Sequence, residues 1–110
     1  MLLEKLYKAD ISTASAGNNT IIAAPTDDGA YLAIDHINLV ASGGVTVQLK
    51  TGSTSYGGAY ALATSTPLVL DNAISNQDGV ITCGVKEAFV INLSGAVQVS
   101  GFVRYRIVGR

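Results

Sequence analysis

Alternation of apolar and polar residues is the feature that most restricts how this chain can fold. The segment 45–50, VTVQLK, alternates strictly, and the segments 89–93 and 96–108 repeat the same period of two. That period places successive side chains on opposite faces of a β-strand. Turn-forming sequences such as SAGNN, PTDDG, SGG and DNAISNQDG separate the alternating runs. The pattern therefore predicts an all-β chain, folded as an antiparallel sandwich or barrel.

The alternating runs predict about eight strands and leave two irregular points. We place the strands at roughly residues 5–12, 19–24, 31–41, 45–51, 59–63, 67–71, 79–82 and 87–93, with a long final strand at 96–108. In the segment 31–41 the apolar parity changes halfway, so the strand is either buried on both faces or shifted by a bulge near Asp35 and His36. Gly101 marks a predicted bulge or bend, which would let the last strand serve both sheets.

Length and composition indicate one packed domain with an unusually neutral surface. The 110 residues have the size of a single domain. We divide them into residues 1–12, an N-terminal arm or first strand, and residues 13–110, a single β-sandwich domain. Hydrophobic residues make up 48%, which excludes disorder. Charged residues make up 14%, well below the ~25% usual in globular proteins, which suits a surface partly covered by partners.

Several partner classes are disfavoured by the same sequence. The net charge is −1, which argues against nucleic-acid binding driven by phosphate contacts. No apolar run reaches the ~18 residues of a transmembrane helix, and the N-terminal segment lacks the apolar run of a signal peptide. The single cysteine, Cys83, cannot form an internal disulfide, so a reducing compartment is the simpler expectation.

No combination of residues in the sequence points to catalysis or metal binding. The only histidine, His36, follows Asp35 directly, and neighbouring strand residues point to opposite faces, so Asp35 is not expected to orient it. We expect a structural His36, satisfied by backbone or solvent. Cys83 lies in the apolar ITCGV segment and is expected to be an inert, half-buried thiol. One histidine and one cysteine are too few for a zinc site. We therefore expect no catalytic residue, no metal, no cofactor and no enzyme activity.

The outward face of the last strand holds the strongest candidate contact residues. Phe102, Arg104 and Arg106 share this face, and aromatic residues and arginine are enriched at the energetic centres of protein interfaces. In an alternative interpretation, the N-terminus of the chain covers Phe102, and Arg104 or Arg106 pairs with Glu4 or Asp10. The opposite, inward face is predicted to hold Val97, Val99, Val103, Tyr105 and Ile107.

Two further groups complete the candidate interface. Leu2, Leu3 and Leu6 lack obvious partners within the chain and are expected to lie on a neighbouring protein. Tyr56 and Tyr60 belong to GSTSYGGAYALA, a segment of small residues and tyrosines typical of adaptable binding surfaces. An equally weighted alternative is that both tyrosines cover an edge of the sandwich.

The segments NNTIIAA, INLVASGGVTVQLKTGSTSYGGAYALA, TPLVLDN and FVINLSGAVQVSGFVRYRIV together resemble a family of small proteins from tailed bacteriophages. The shared features are an NT before the first apolar run, a VTVxxKxGST strand and loop, and a short hairpin leading into the last strand. The resemblance covers about residues 18–108 and is to head decoration (cement) proteins or small modules of phage fibres. It implies a jelly-roll-like β-sandwich, usually a trimer, on the capsid. It implies no catalytic residues.

The resulting functional expectation is a structural virion protein. Such a protein would bind the outer surface of a phage head and bridge capsomers, after synthesis in the host cytoplasm. Its expected partners are the major capsid protein and further copies of itself, with a trimer favoured, and neither nucleic acid nor membrane. The alternative is a phage fibre module or a receptor-binding or carbohydrate-binding β-sandwich, with STSYGGAY as its binding loop.

Overall fold

The computed structural model describes residues 5–72 and 78–109, and these residues form ten β-strands and no helix. In chain order the strands are β1 (Tyr7–Thr13), β2 (Gly17–Ile22), β3 (Tyr31–Ala41), β4 (Val45–Thr51), β5 (Thr54–Ser55), β6 (Tyr60–Leu62), β7 (Pro67–Asp71), β8 (Ile81–Thr82), β9 (Phe89–Leu93) and β10 (Val99–Val108). Each predicted segment overlaps one of these strands. Only β5, a two-residue strand within a turn sequence, was not predicted.

The strands form two antiparallel sheets. The first has the order β1-β10-β3-β7, with β8 also paired to β3, and the second has the order β2-β9-β4-β5, with β6 also paired to β4. From β1 to β4 the chain alternates between the sheets, and the later strands return to pair with the earlier ones. This is the connectivity of a jelly roll. The prediction of an antiparallel, jelly-roll-like sandwich is confirmed.

The core lies between the inner faces of the two sheets, where the alternating apolar residues of the sequence meet. On β4, for example, Val47 and Leu49 are buried while Thr46 is exposed. Each fully buried side chain of this size contributes roughly 1.5–3 kcal/mol of hydrophobic stabilisation. The largest fully buried side chains are Phe89, Ile11, Leu32, Ile34, Ile37, Leu39, Leu49, Ile81, Ile91 and Leu93.

A β-bulge in β3 explains the parity change in its sequence. On β10, Arg104 lies opposite His36 while the next residue, Tyr105, lies opposite Ile34, so Asp35 is the extra residue. The predicted bulge near Asp35 and His36 is therefore confirmed. Ala33 is also fully buried, between neighbours that are themselves buried, so this end of β3 is covered on both faces as well.

Two predictions for β10 were wrong. The strand stays within the first sheet, between β1 and β3, and Gly101 does not bend it into the second sheet. Glycine is needed there for close approach, because a Cβ atom would overlap the carbonyl oxygen of Asn38 on β3. Ile107 is 38% exposed rather than part of the core, whereas the next residue, Val108, is 5% exposed, so the alternation of β10 changes parity at its C-terminal end.

Candidate protein-contact face

The outer face of the first sheet brings together residues from four strands. Directly opposed residues in antiparallel strands project to the same side, so the register defines three rows across β1, β10, β3 and β7. We call this surface the contact face. Its rows are Ser12–Ser100–Val40–Pro67, Asp10–Phe102–Asn38–Val69 and Lys8–Arg104–His36–Asp71.

An apolar patch occupies the middle of the contact face. Phe102 is half-buried, whereas Val40 and Val69 expose 38% and 52% of their surface. Val40 lies diagonally across the strands from both of these residues, a separation of about 7–8 Å that large side chains can bridge. The exposed Pro67 extends the patch beside Val40. The apolar residues of the patch thus lie on β10, β3 and β7 and border the amide of Asn38 on three sides.

Phe102 is held in place by its neighbours on the same face. Its ring stacks on the His36 imidazole with 5.5 Å between ring centroids, and the Arg104 guanidinium carbon lies 5.9 Å from the Phe102 centroid. The other side of His36 is fixed by Asp71, whose Oδ1 is 3.0 Å from Nδ1. The expectation that backbone or solvent satisfies His36 was wrong, because the Asp71 carboxylate holds its imidazole. The patch is presented by a preorganised set of side chains.

Arg106 does not share the open position of Phe102 and Arg104. It donates to both carboxylate oxygens of Asp35, from Nε to Oδ2 at 2.6 Å and from Nη2 to Oδ1 at 2.9 Å. The Arg106 side chain is only 16% exposed. Burial raises the pKa of Asp35, but the hydrogen bonds from Arg106 and Asn72 and the charge of Arg106 outweigh it, and the pKa lies below its ordinary value. Arg106 therefore ties β10 to the β3 bulge.

The described part of the N-terminal segment does not cover Phe102. β1 lies beside β10 as an edge strand of the same sheet, and Asp10 pairs with Lys8 at 3.0 Å. The alternative in which Asp10 pairs with Arg104 or Arg106 was wrong. Its other acidic partner, Glu4, lies outside the described residues.

The remaining candidates lie elsewhere or outside the described residues. Leu2 and Leu3 belong to the undescribed N-terminus, whereas Leu6 precedes β1 and is 47% exposed. Tyr56 lies in the exposed turn after β5, where its carbonyl accepts a hydrogen bond from Gln48. Tyr60, on β6, packs against the core. The two tyrosines therefore do not form one aromatic surface.

The outer face of the second sheet differs in character. Asn18, Asn92 and Gln48 form one row across it. Asn18 Oδ1 accepts hydrogen bonds from Asn92 Nδ2 at 2.8 Å and from Lys50 Nζ at 3.3 Å. Amide and ammonium groups thus occupy the positions that apolar side chains fill on the contact face. The exposed apolar patch is a property of the first sheet.

Cys83 is a buried, protonated thiol. It is 2% exposed, which is more complete burial than the sequence predicted. Burial raises its pKa to about 11, the charge of Glu87 adds to this effect, and the hydrogen bond with Thr51 opposes it. Since the thiolate is the reactive form, the prediction of an inert thiol agrees with this environment.

Neither a metal-binding group of side chains nor a membrane-spanning helix is found in the part of the chain that the structure describes. Within residues 5–72 and 78–109, no three His, Cys, Asp or Glu side chains are grouped so that they could bind a metal ion. The same residues contain no helix with the length and apolar character needed to cross a membrane.

Sequence reasoning found Phe102 and Arg104 but missed most of their neighbours. Val40, Val69 and Asn38 belong to the contact face only because β7 pairs with β3. The sequence around each residue does not show which strand will pair beside it. One signal for Val69 was present in the sequence. In the strand segment PLVLD, Val69 stands between two leucines that are more buried, so it is an apolar residue on the outward side of the strand.

Fold and face together define a class: a small all-β, jelly-roll-like sandwich with one sheet surface suited to protein contact. Comparison of the chain with protein-family models, with curated proteins and with solved structures found no match. The contact face and the sequence resemblance are therefore the two observations that bear on function.

Proposed function

We propose that this chain is a structural virion protein that decorates the outer surface of a phage head and bridges capsomers. The observation that carries the proposal is the exposed apolar patch of the contact face. The outer face of the second sheet carries amide and ammonium groups instead. The sequence resemblance over about residues 18–108 supports the choice of a phage head as its location. The proposed partners are the major capsid protein and further copies of the chain, with a trimer favoured.

The contact face has the composition of a protein interface. Phe102, Val40 and Val69 form an apolar centre, and the charged side chains of Lys8 and Asp71 lie at its margins, 54% and 61% exposed. An apolar centre within a polar rim is the usual arrangement of specific interfaces. An aromatic ring beside an arginine is the usual composition of their energetic centres.

Cementing follows when several copies of the chain are joined in one assembly. When one copy of an oligomer is bound to a capsomer, the others are held near the surface at high effective concentration. Modest individual contacts then give strong overall binding and connect neighbouring capsomers. A sandwich stabilised by its own core needs no ligand or metal for this role.

Quantitative mass spectrometry of purified particles tests the proposal. The chain is expected in many copies, in a fixed ratio to the major capsid protein. A handful of copies per particle would place it in a fibre or tail instead, and its absence from particles would overturn the proposal.

A second candidate function, glycan binding by a fibre or receptor-binding module, is favoured by the exposed Tyr56. A glycan array comparing the wild type with Tyr56→Ala tests it. A glycan signal that Tyr56→Ala abolishes would support this function, and the absence of any signal from the wild type would contradict it.

A further inference from the structure

We infer that a second copy of this chain occupies the contact face, with the β1 side of one copy against the β7 side of the next. The inference deepens the proposed function, since it names the partner of the same face. It specifies which residues meet across the contact.

The charges of the contact face are distributed so that the face complements itself. On the β1–β10 half, Lys8 and Arg104 outnumber Asp10, whereas on the β3–β7 half Asp71 leaves a negative excess. Asp35 and Arg106 neutralise each other through their paired hydrogen bonds. A face whose two halves carry opposite excess charge attracts a copy of itself when opposite halves meet, and it repels a copy placed half against like half.

The position of Phe102 fits the same arrangement. The midline of the four strands falls between β10 and β3, and Phe102 lies directly beside it. Copies related by an axis along this midline bring their Phe102 rings together at the centre of the contact. Aromatic pairs in such contacts contribute about 0.5–1.5 kcal/mol beyond their buried area.

Two closed arrangements satisfy this register. Two copies can stack face to face, or three can surround an axis. Four strands spaced about 4.8 Å apart place the edge strands β1 and β7 about 14 Å from each other. Both arrangements place Lys8 of one copy next to Asp71 of another.

Lys8 can exchange its present partner for this contact at small cost. Its ion pair with Asp10 links two side chains that are 54% and 74% exposed. Exposed pairs of this kind contribute little to stability because water and salt screen them. An Asp71 carboxylate from a second copy, in an interface with less water, would be the stronger partner.

Disulfide trapping tests this register. We would combine Ser12→Cys with Pro67→Cys, which are the edge residues of another row of the contact face and leave Lys8 and Asp71 in place, and oxidise the protein mildly. Within one chain these positions are three strand spacings apart, about 14 Å, whereas a disulfide requires Cα atoms within about 7 Å. The native thiol, Cys83, is buried and does not compete. A cross-link can therefore form only between copies.

The expected product is a covalent oligomer on a non-reducing gel, and each single-cysteine variant should remain monomeric. A covalent dimer would report face-to-face stacking, and a covalent trimer would report three-fold closure. Both species would support the register. A double variant that folds, as shown by its circular dichroism, and yet remains monomeric would overturn the inference.

Sedimentation equilibrium provides a second readout with a matched control. Lys8→Glu places like charges across the contact and should raise the self-dissociation constant about tenfold, which corresponds to about 1.4 kcal/mol. Lys86→Glu reverses a lysine that also pairs with an exposed aspartate, Asp28, but lies off the face, and it should leave association unchanged. Equal effects of the two variants would contradict the inference.

The results separate the inference from the proposed function. An oligomer that cross-links through the contact face but is absent from particles would support the inference and overturn the proposed function. A chain present in many copies on the head but monomeric in solution, with no cross-link, would support the proposed function. In that case the capsid, rather than a second copy, occupies the face.

Discussion

At the scale of single residues, Gly101 shows how closely β10 and β3 approach each other. A Cβ atom at this position would overlap the Asn38 carbonyl oxygen and lie 2.7 Å from the Cα atom of Leu39. Both contacts are with backbone, which cannot move aside without disturbing the pairing of the two strands. Glycine at this position therefore allows the two central strands of the contact face to pair.

We expect Gly101→Ala to lower the free energy of unfolding by at least about 2 kcal/mol, because the added methyl group forces the two strands apart. Gly95→Ala is the matched control, since a Cβ atom at Gly95 meets no other atom within 4 Å. Urea unfolding measures both variants. Equal unfolding midpoints for the two would show that the close approach has no energetic consequence.

Cys83 makes the stability of the protein depend on pH in the alkaline range. Burial raises its pKa from about 9 to about 11, so between these values the folded state keeps a proton that the unfolded state has lost. The stabilisation is complete below about pH 9 and is lost as the pH rises toward 11. The expected loss is about 1.4 kcal/mol for each pH unit in this window.

The matched comparison is Cys83→Ala, which removes the thiol. Burial and the charge of Tyr7 also raise the pKa of Tyr105 above its ordinary value, but Tyr105 is present in both proteins. Urea unfolding from pH 8 to pH 11 should therefore show a steeper decline for the wild type than for Cys83→Ala. Parallel declines would mean that the buried thiol does not account for the effect.

At the scale of secondary-structure elements, the ion pair between Asp35 and Arg106 fixes the bulge of β3 against β10. Both side chains are largely buried, with 19% and 16% exposed. Two parallel hydrogen bonds between a guanidinium and a carboxylate are among the stronger polar contacts in proteins. Removing one partner leaves the other charge uncompensated in a partly buried position.

We expect Asp35→Asn to destabilise the protein by roughly 1–3 kcal/mol at pH 7, because the near-isosteric amide loses the charge that Arg106 requires. The pKa of Asp35 is depressed by its partners, so the wild-type advantage is complete above the ordinary aspartate pKa near 4 and shrinks as the pH falls through the lowered value. Chemical unfolding at pH 7 and below pH 4 measures both. A constant difference between the proteins across this range would contradict the role of the charge.

The elements also show how far sequence reasoning extends. Alternation located each of the longer strands, because burial on one face imposes a period of two, and the parity change at Asp35 located the bulge. The face on which a residue lies could be inferred in this way. The order of strands in each sheet could not be inferred, because the pairing of β7 with β3, for example, depends on contacts between residues far apart in sequence. The place of Val69 on the contact face was missed for that reason.

At the scale of the whole molecule, the two outer sheet surfaces differ in character. The second sheet carries the polar row Asn18, Asn92 and Gln48, whereas the contact face exposes an apolar patch with charges of both signs at its margins. We expect Phe102→Ser combined with Arg104→Ala to weaken self-association while leaving the monomer folded, because both side chains lie on the outer face and outside the core. Analytical ultracentrifugation measures the change. Tyr56→Ala is the control, because it removes an exposed aromatic side chain in the turn after β5, away from the contact face. An unchanged oligomer would refute this role for the patch.

Electron cryomicroscopy of the assembled phage particle would show directly whether this chain decorates the head. We predict jelly-roll density of this chain repeated over the outer surface of the head, bridging capsomers, with the contact face covered by protein. Density for the chain confined to a fibre or tail, or a head surface without it, would contradict the proposed function.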